Sequence, residues 1–333
     1  MATKHDARPR PFADDWKHRK WSELSLSQRA VMKMDILNRS SKDYTYPKPK
    51  GKVPYMTAWN QCMFLLPIVM LPLSARWVFM QATGWTVHPV IAYVTMVLVN
   101  VFAMTTYSHR HRAYVEKYGF LDGDVDRDAM PESTTDKFLK EMMMAMLGRP
   151  LVLMLLTYDR TEVPTLSWWL PLQLTVFTIL ADFVYYWAHR ATHEIPWLWK
   201  FHRLHHTTKH PSSYLLGFAD EPQEIFDIFV TPIVTYLVYP LNYDTLFIWL
   251  VYFMTLEMGG HCGVRAYYPG VLTSLLQPFG SEIVVEDHDL HHRNGWRDSY
   301  NYGKQSMLWD TLFGTRSDRI ETRYENVDWN TRM

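Results

Sequence analysis

The run from Trp85 to Tyr107 holds no Asp, Glu, Lys or Arg in 23 residues. A hydrocarbon core of ~30 Å takes about 20 helical residues to cross, and backbone polar groups inside it must be satisfied within the chain. This run is therefore expected to be a transmembrane helix. Pro164 to Trp187 reads the same way, interrupted only by Asp182. Cys62 to Met80 is apolar apart from Ser74, Arg76 and two prolines. Phe138 to Thr157 carries Lys140, Glu141 and Arg149 on a Met/Leu-rich stretch. It fits a fourth span or a helix lying in the interface. Ile225–Tyr239 and Thr245–Leu256, parted by Pro240, are too short for separate spans and read as a re-entrant or buried helical hairpin.

Four crossings give a consistent topology. The loop Gln81–Thr86 has no Lys or Arg, Ser108–Lys140 has six, and Tyr158–Val163 has one. The positive-inside rule then puts the N-terminus and the 108–140 loop in the cytoplasm, and the chain returns there before His189. If Phe138–Thr157 does not cross, that placement reverses. A mean hydropathy of −0.20 conceals these spans, whereas an aromatic content of 15% fits a membrane-interface belt. The net charge of zero is a cancellation. Residues 1–52 hold 13 Lys/Arg against 6 Asp/Glu, and the rest hold 21 against 28. Overall neutrality argues against nucleic acid as a partner. The basic segment reads as a solvated tail or as one held near anionic lipid on the cytoplasmic face. Cys62 and Cys262 are the only cysteines and form no redox motif.

Ten of the 15 histidines fall between 189 and 292. His189 and His193 are an i, i+4 pair. His202-Arg-Leu-His205-His206 and His288-Asp-Leu-His291-His292 are i, i+3, i+4 triples. His261 stands alone in Gly259-Gly-His-Cys-Gly263. On a helix these spacings share a face, with Cβ atoms ~5–6 Å apart, so several imidazoles can converge on one point. Neutral imidazole suits iron, copper, nickel and zinc. Eight or nine ligands exceed one ion and fit two adjacent ions. His88, His109, His111 and His210 lie outside the pattern: His88 is expected to pack near the lumenal edge, and His109 and His111 to be interface anchors. Asp122–Asp128 begins like a calcium loop but has Arg127 where glycine is required, so it reads as an acidic turn. Asp182, two turns before His189, is a candidate to orient a liganding imidazole. Glu257, one turn before His261, is a candidate for the same task.

The run Asp182-Phe-Val-Tyr-Tyr-Trp-Ala-His-Arg-Ala-Thr-His193, followed by the two triples, resembles the fatty acid hydroxylase/sterol desaturase superfamily. The segments around Gly260–Pro269 and Trp309–Thr315 are similar too, and the resemblance spans roughly 165–315. It implies an all-α membrane protein of about four transmembrane helices plus the short hairpin, with a cytosolic helical cap. His189, His193, His202, His205, His206, His261, His288, His291 and His292 map onto the family's metal-ligand positions. The cofactors implied are two Fe ions and O2, used to hydroxylate or desaturate an unactivated C–H bond of a fatty acyl, sterol or related lipid. No cytochrome module is present in the sequence, so electrons are expected from a separate protein. Glu221 stands where many relatives have His before Pro222, and Asp287 where some sterol oxidases have another His.

The domain reading is a polar tail over 1–55, transmembrane helices over 56–188, a cap over 189–315 that includes the hairpin 225–258, and a C-terminal tail over 316–333. Location in the endoplasmic reticulum, if the chain is eukaryotic, with the site facing the cytosol, is expected; oligomeric state stays open. Met254, Trp249, Phe253 and Tyr214 are candidates to line a substrate channel, or simply membrane core. Two rival readings remain: a membrane zinc hydrolase with Glu221 or Asp287 acting on bound water, although zinc needs only three or four ligands, and a non-catalytic metal-binding scaffold.

Overall fold

A computed structural model describes residues 15–39, 43–296 and 299–333. Parts of the N-terminal segment, residues 1–14 and 40–42, lie outside the described residues. The helices are α1 (Leu26–Met34), then, after strand β1 (Val53–Tyr55), α2 (Ala58–Thr83), α3 (Pro89–Tyr118), α4 (Thr135–Thr157) and α5 (Leu170–Glu194). There follow α6 (Glu221–Ile225), α7 (Thr231–Val238), α8 (Tyr243–Gly260), α9 (Val285–Asn294), α10 (Leu308–Phe313) and strand β2 (Val327–Arg332).

Three helices, α2, α3 and α5, are long and apolar enough to cross a membrane. Thr57 caps α2 by accepting from Asn60 N (3.1 Å), and Gly84 ends it in the left-handed region at φ 69°. Exposed tryptophans mark both ends of the set: Trp59 and Trp197 at one, Trp77, Trp85, Trp168 and Trp169 at the other. Trp168 is 100% exposed, which water would penalise and a lipid interface accommodates.

Contacts fix the direction of each long helix. Tyr55, just before α2, bridges to Tyr267, and Phe120, just after α3, bridges to Val264. At the opposite end the Tyr158 hydroxyl donates to the Val87 carbonyl (2.7 Å), and Arg76 donates to the Glu162 carbonyl (2.7 Å). Thus α4 runs back from the histidine-bearing end and α5 returns to it. By composition α4 is not among the three candidate spans, yet at 23 residues it covers about 34 Å. Its exposed stripe is Met143, Leu147, Leu151 and Leu155, one residue per turn, while Glu141 and Arg149 are buried.

The expected hairpin takes a different form. α7 is short and joined to α6 through a π-helical turn at Phe226–Val230. α8 is buried nearly all round, from Tyr243 to Gly259. It is the central helix, packed by α2, α3, α4 and α5, as an all-round apolar helix must be. The two ends are packed as well. Trp16 and Val31 are buried, and the Trp16 indole donates to the Met130 carbonyl (2.8 Å). β2 pairs in parallel with β1, and buried Arg319 donates to Asp287 (2.8 Å) and Glu282 (2.7 Å). Residues 15–39 are therefore not a solvated tail, and 316–333 is not a free one: Trp16, Val31, Val327 and Arg319 are buried against the body.

Candidate metal centre

α5 presents His189 and His193 in its last two turns. The first triple departs from the helical expectation. Short 3-10 turns at Trp199–Phe201 and His205–Thr207 carry it. His261 follows the end of α8, and α9 carries the second triple. Nine buried side chains form two groups. In each, the candidate ligand atoms lie within 4.8 Å of one another: His189, His193, His202, His206 and His291 in one, His205, His261, His288 and His292 in the other. Within each triple the first and last rings share a group and the middle ring crosses to its neighbour, which locks the groups side by side.

Hydrogen bonds decide which nitrogen faces inward. The Nδ1 atoms of His189, His193, His205, His261, His291 and His292 sit 2.6–3.2 Å from the backbone carbonyls of Tyr302, Trp296, Phe218, Glu257, Tyr300 and Thr208. The Nδ1 of His202 faces Gln223 Oε1 at 2.6 Å. Oxygens of this kind only accept, so Nδ1 donates and Nε2 carries the lone pair. The Nε2 atoms of His189 and His202 are 2.9 Å apart, and those of His205 and His261 are 3.4 Å apart. Both partners in each pair have spent their proton on the outer side, so two lone pairs face each other, an arrangement that a bound cation relieves. The Nε2 atoms of His193 and His292 meet no hydrogen-bond partner among the described residues. The donor set fits metal ions. Burial, reinforced by neighbouring imidazoles, holds His205, His206, His288 and His292 well below the ordinary histidine range. Burial likewise pulls His202 and His261 down to about 4 and His291 to about 3. They stay neutral and ready to ligate.

The four carboxylates singled out from the sequence touch no site imidazole with their side chains. Asp182 accepts from the backbone N–H groups of Lys304 (2.8 Å), Gln305 (2.8 Å) and Ser306 (3.0 Å), and from the Ser306 hydroxyl (2.6 Å). It holds the loop whose Tyr302 carbonyl meets His189, so its influence on that ring is indirect. Asp310 secures the same loop through the Tyr302 and Gly303 N–H groups (2.8 and 2.7 Å). The Glu257 carboxylate pairs with Arg149 and Lys304, both at 2.9 Å, while its backbone carbonyl takes the His261 proton. Asp287 caps α9 at Val284 N (2.8 Å) and pairs with Arg319. Glu221 is exposed and paired with Lys140 at 2.5 Å. Neither carboxylate offered for the zinc hydrolase reaches the histidines.

Gln223, two residues beyond Glu221, carries no sequence signal that marks it as the partner of His202. The carbonyl partners have no sequence signature at all. Of the remaining histidines, His88 caps α3, bonding Val90 N (3.2 Å), and exposed His109 lies by the Asp35 carbonyl (3.0 Å). His111 is not a surface anchor: it is buried against Ser213 Oγ at 3.0 Å. His210 stays outside both groups.

A cavity of about 730 Å³ borders the first group, lined by His189, His202, Tyr185, Phe201 and Phe226. Tyr214 and Met254 line a second, of about 630 Å³, whereas Trp249 and Phe253 line a separate one of about 430 Å³.

Residues 174–315 match the fatty acid hydroxylase family model. The fatty acid hydroxylase vlmA of Lecanicillium sp is 38% identical over 288 residues, which is 81% of this chain and 79% of that protein. Methylsterol monooxygenase 2-2 of Arabidopsis thaliana is 29% identical over 227 residues, 65% of this chain and 83% of that one. A very-long-chain aldehyde decarbonylase of Oryza sativa subsp. indica is 31% identical over 166 residues, 49% of this chain and 59% of its own. No solved structure gives a significant match. The chain belongs to the fatty acid hydroxylase family, and it is an integral membrane, metal-binding oxidoreductase of lipid metabolism.

Proposed function

We propose that the nine histidines hold two iron ions and that the protein uses O2 to hydroxylate or desaturate an unactivated C–H bond of a lipid. The single observation that carries this is the inward convergence of Nε2 lone pairs in adjacent groups of five and four. Nine imidazoles are surplus to a zinc site, and relatives bear the names fatty acid hydroxylase and methylsterol monooxygenase. When bound, a pair of irons supplies the redox chemistry that activates O2.

The chain's own contribution is positional. Carbonyls from five separate segments, with Gln223, fix ring orientation and tautomer, and so set the geometry and potential of the centre. Burial keeps the imidazoles neutral and water out. The cavity beside His189 and His202 offers apolar walls from Phe201 and Phe226 to a hydrocarbon chain.

Electrons come from a separate donor protein. With α4 counted as a crossing beside α2, α3 and α5, the positive-inside rule favours a site on the side of the basic 108–140 loop, the cytosol, and the endoplasmic reticulum is the membrane if the host is eukaryotic. The nine ligands are His189, His193, His202, His205, His206, His261, His288, His291 and His292. The cap spans 189–315 and its loops rest on the 56–188 helices.

The test is metal analysis of purified protein with an O2-consumption assay and mass spectrometry of fed lipids. Two irons per chain, reductant-dependent O2 use and a product heavier by one oxygen, or lighter by two hydrogens, are expected. Zinc alone with ester or amide cleavage would overturn the proposal.

A further inference from the structure

The cavity of about 630 Å³ between α3, α4, α8 and the 214–227 segment is amphipathic. Met104, Phe138, Met142, Met146 and Met254 give it a flexible apolar lining suited to a hydrocarbon chain. Interleaved with them are Glu141, Glu224, Asp227 and Glu257 together with Arg149 and Lys304. Most of these charges are matched. Arg149 and Lys304 each hold Glu257 at 2.9 Å, Lys304 lies 3.8 Å from Asp227, and Lys137 reaches Glu141 at 2.6 Å. Glu224 is the exception. Its residue is only 6% exposed, and its carboxyl makes no hydrogen bond or close ion pair among the described residues, Arg149 and Lys304 acting on it only from beyond ion-pair distance. Four carboxylates face three cations, so the wall is one positive charge or one proton short.

A buried carboxyl group without a partner costs several kcal/mol unless a donor reaches it. Burial, with Asp227 and Glu141 close by, pushes Glu224 up to about 8, as such a site should. We propose that this cavity receives the polar end of the lipid substrate, and that this end donates hydrogen bonds and bears no negative charge: an alcohol or an amine, not a free carboxylate. An incoming carboxylate would add a negative charge to a wall whose three cations already face three ionised acids. A hydroxyl can donate to the Glu224 carboxyl as well as accept its proton, and an ammonium lets Glu224 ionise.

Position ties the cavity to the centre. Gln223, the neighbour of Glu224, orients His202, and Asp227 lies in the wall of both this cavity and the one bordered by His189 and His202. The inference rests on the oxygenase reading only in naming the ligand as substrate.

The test is equilibrium binding of radiolabelled hexadecan-1-ol, hexadecylamine and hexadecanoate to the full-length, metal-free protein in nanodiscs at neutral pH. Alcohol or amine should bind about tenfold or more tighter than hexadecanoate, the range of a charge-assisted hydrogen bond. Glu224→Leu should erase that preference. Glu224→Gln, which keeps one accepting oxygen, should retain alcohol binding while losing any advantage of the amine. Met142→Trp, which fills the apolar lining, should weaken all preferred ligands. Equal or tighter binding of hexadecanoate, or a preference unmoved by Glu224→Leu, would overturn the inference. Because no metal is present, that failure leaves the oxygenase reading intact, and absence of iron or O2 use leaves this one intact.

Discussion

Replacing Asp182 with Asn tests how the fold orients the first histidine motif. The carboxylate is fully buried and accepts four hydrogen bonds, three of them from consecutive backbone N–H groups at 304–306. Asparagine keeps one oxygen and turns an NH2 group toward donors that have nowhere else to go. Two donors then lose their acceptor, at ~1–3 kcal/mol each, so the loss of stability is about 2–6 kcal/mol. The loop relaxes, and the Tyr302 carbonyl no longer fixes His189 Nδ1. Loss of such an outer partner lowers metal affinity about 10–100-fold. Thermal unfolding of solubilised protein, with and without metal, reads the first effect, and metal content after dialysis against a graded chelator reads the second. Wild-type unfolding together with wild-type metal retention would refute the reasoning. Gly303→Ala is an independent check on the same loop, since a Cβ there collides with the Ser306 carbonyl.

Three more outcomes are expected. His205→Ala and His291→Ala each abolish turnover while the protein still inserts in the membrane; because the rings belong to different groups, each variant should retain about one metal per chain by elemental analysis. Gln223→Leu leaves His202 free to adopt either tautomer, and metal affinity should fall about tenfold or more by chelator competition, with Gln223→Glu restoring it. The metal-free protein should lose stability as pH falls from about 6.5 toward 4. In that window the unfolded chain protonates histidines that the fold keeps neutral, such as His202 and His261, both held at about 4. A denaturation midpoint flat across that interval would contradict the burial argument.

The histidine motifs were legible because chelation needs local spacing, and i, i+4 survives whether the backbone is α-helical, as at His288–His292, or in 3-10 turns, as at His202–His206. What the histidines lean on was not legible. Carbonyls of Tyr300, Tyr302 and Thr208 look like any other backbone, and only the tertiary fold brings them to Nδ1. The chain ends misled for the opposite reason: charge density around Trp16 and Arg319 reads as solvation, yet both are buried. α4 was ambiguous because composition averages over its faces, and its Glu141 and Arg149 turn inward while Leu147, Leu151 and Leu155 are exposed.

The pairing of β1 with β2 bears on how the protein is made. The strand just before the first membrane helix pairs Val53 with Val327, far along the chain, and Met333 N–H donates to the Tyr55 carbonyl at 3.0 Å. During synthesis the long helices can enter the bilayer in order, but this pairing forms only after residues 327–332 have been made. A chain truncated before Val327 would keep every histidine of the two groups and lack this clasp.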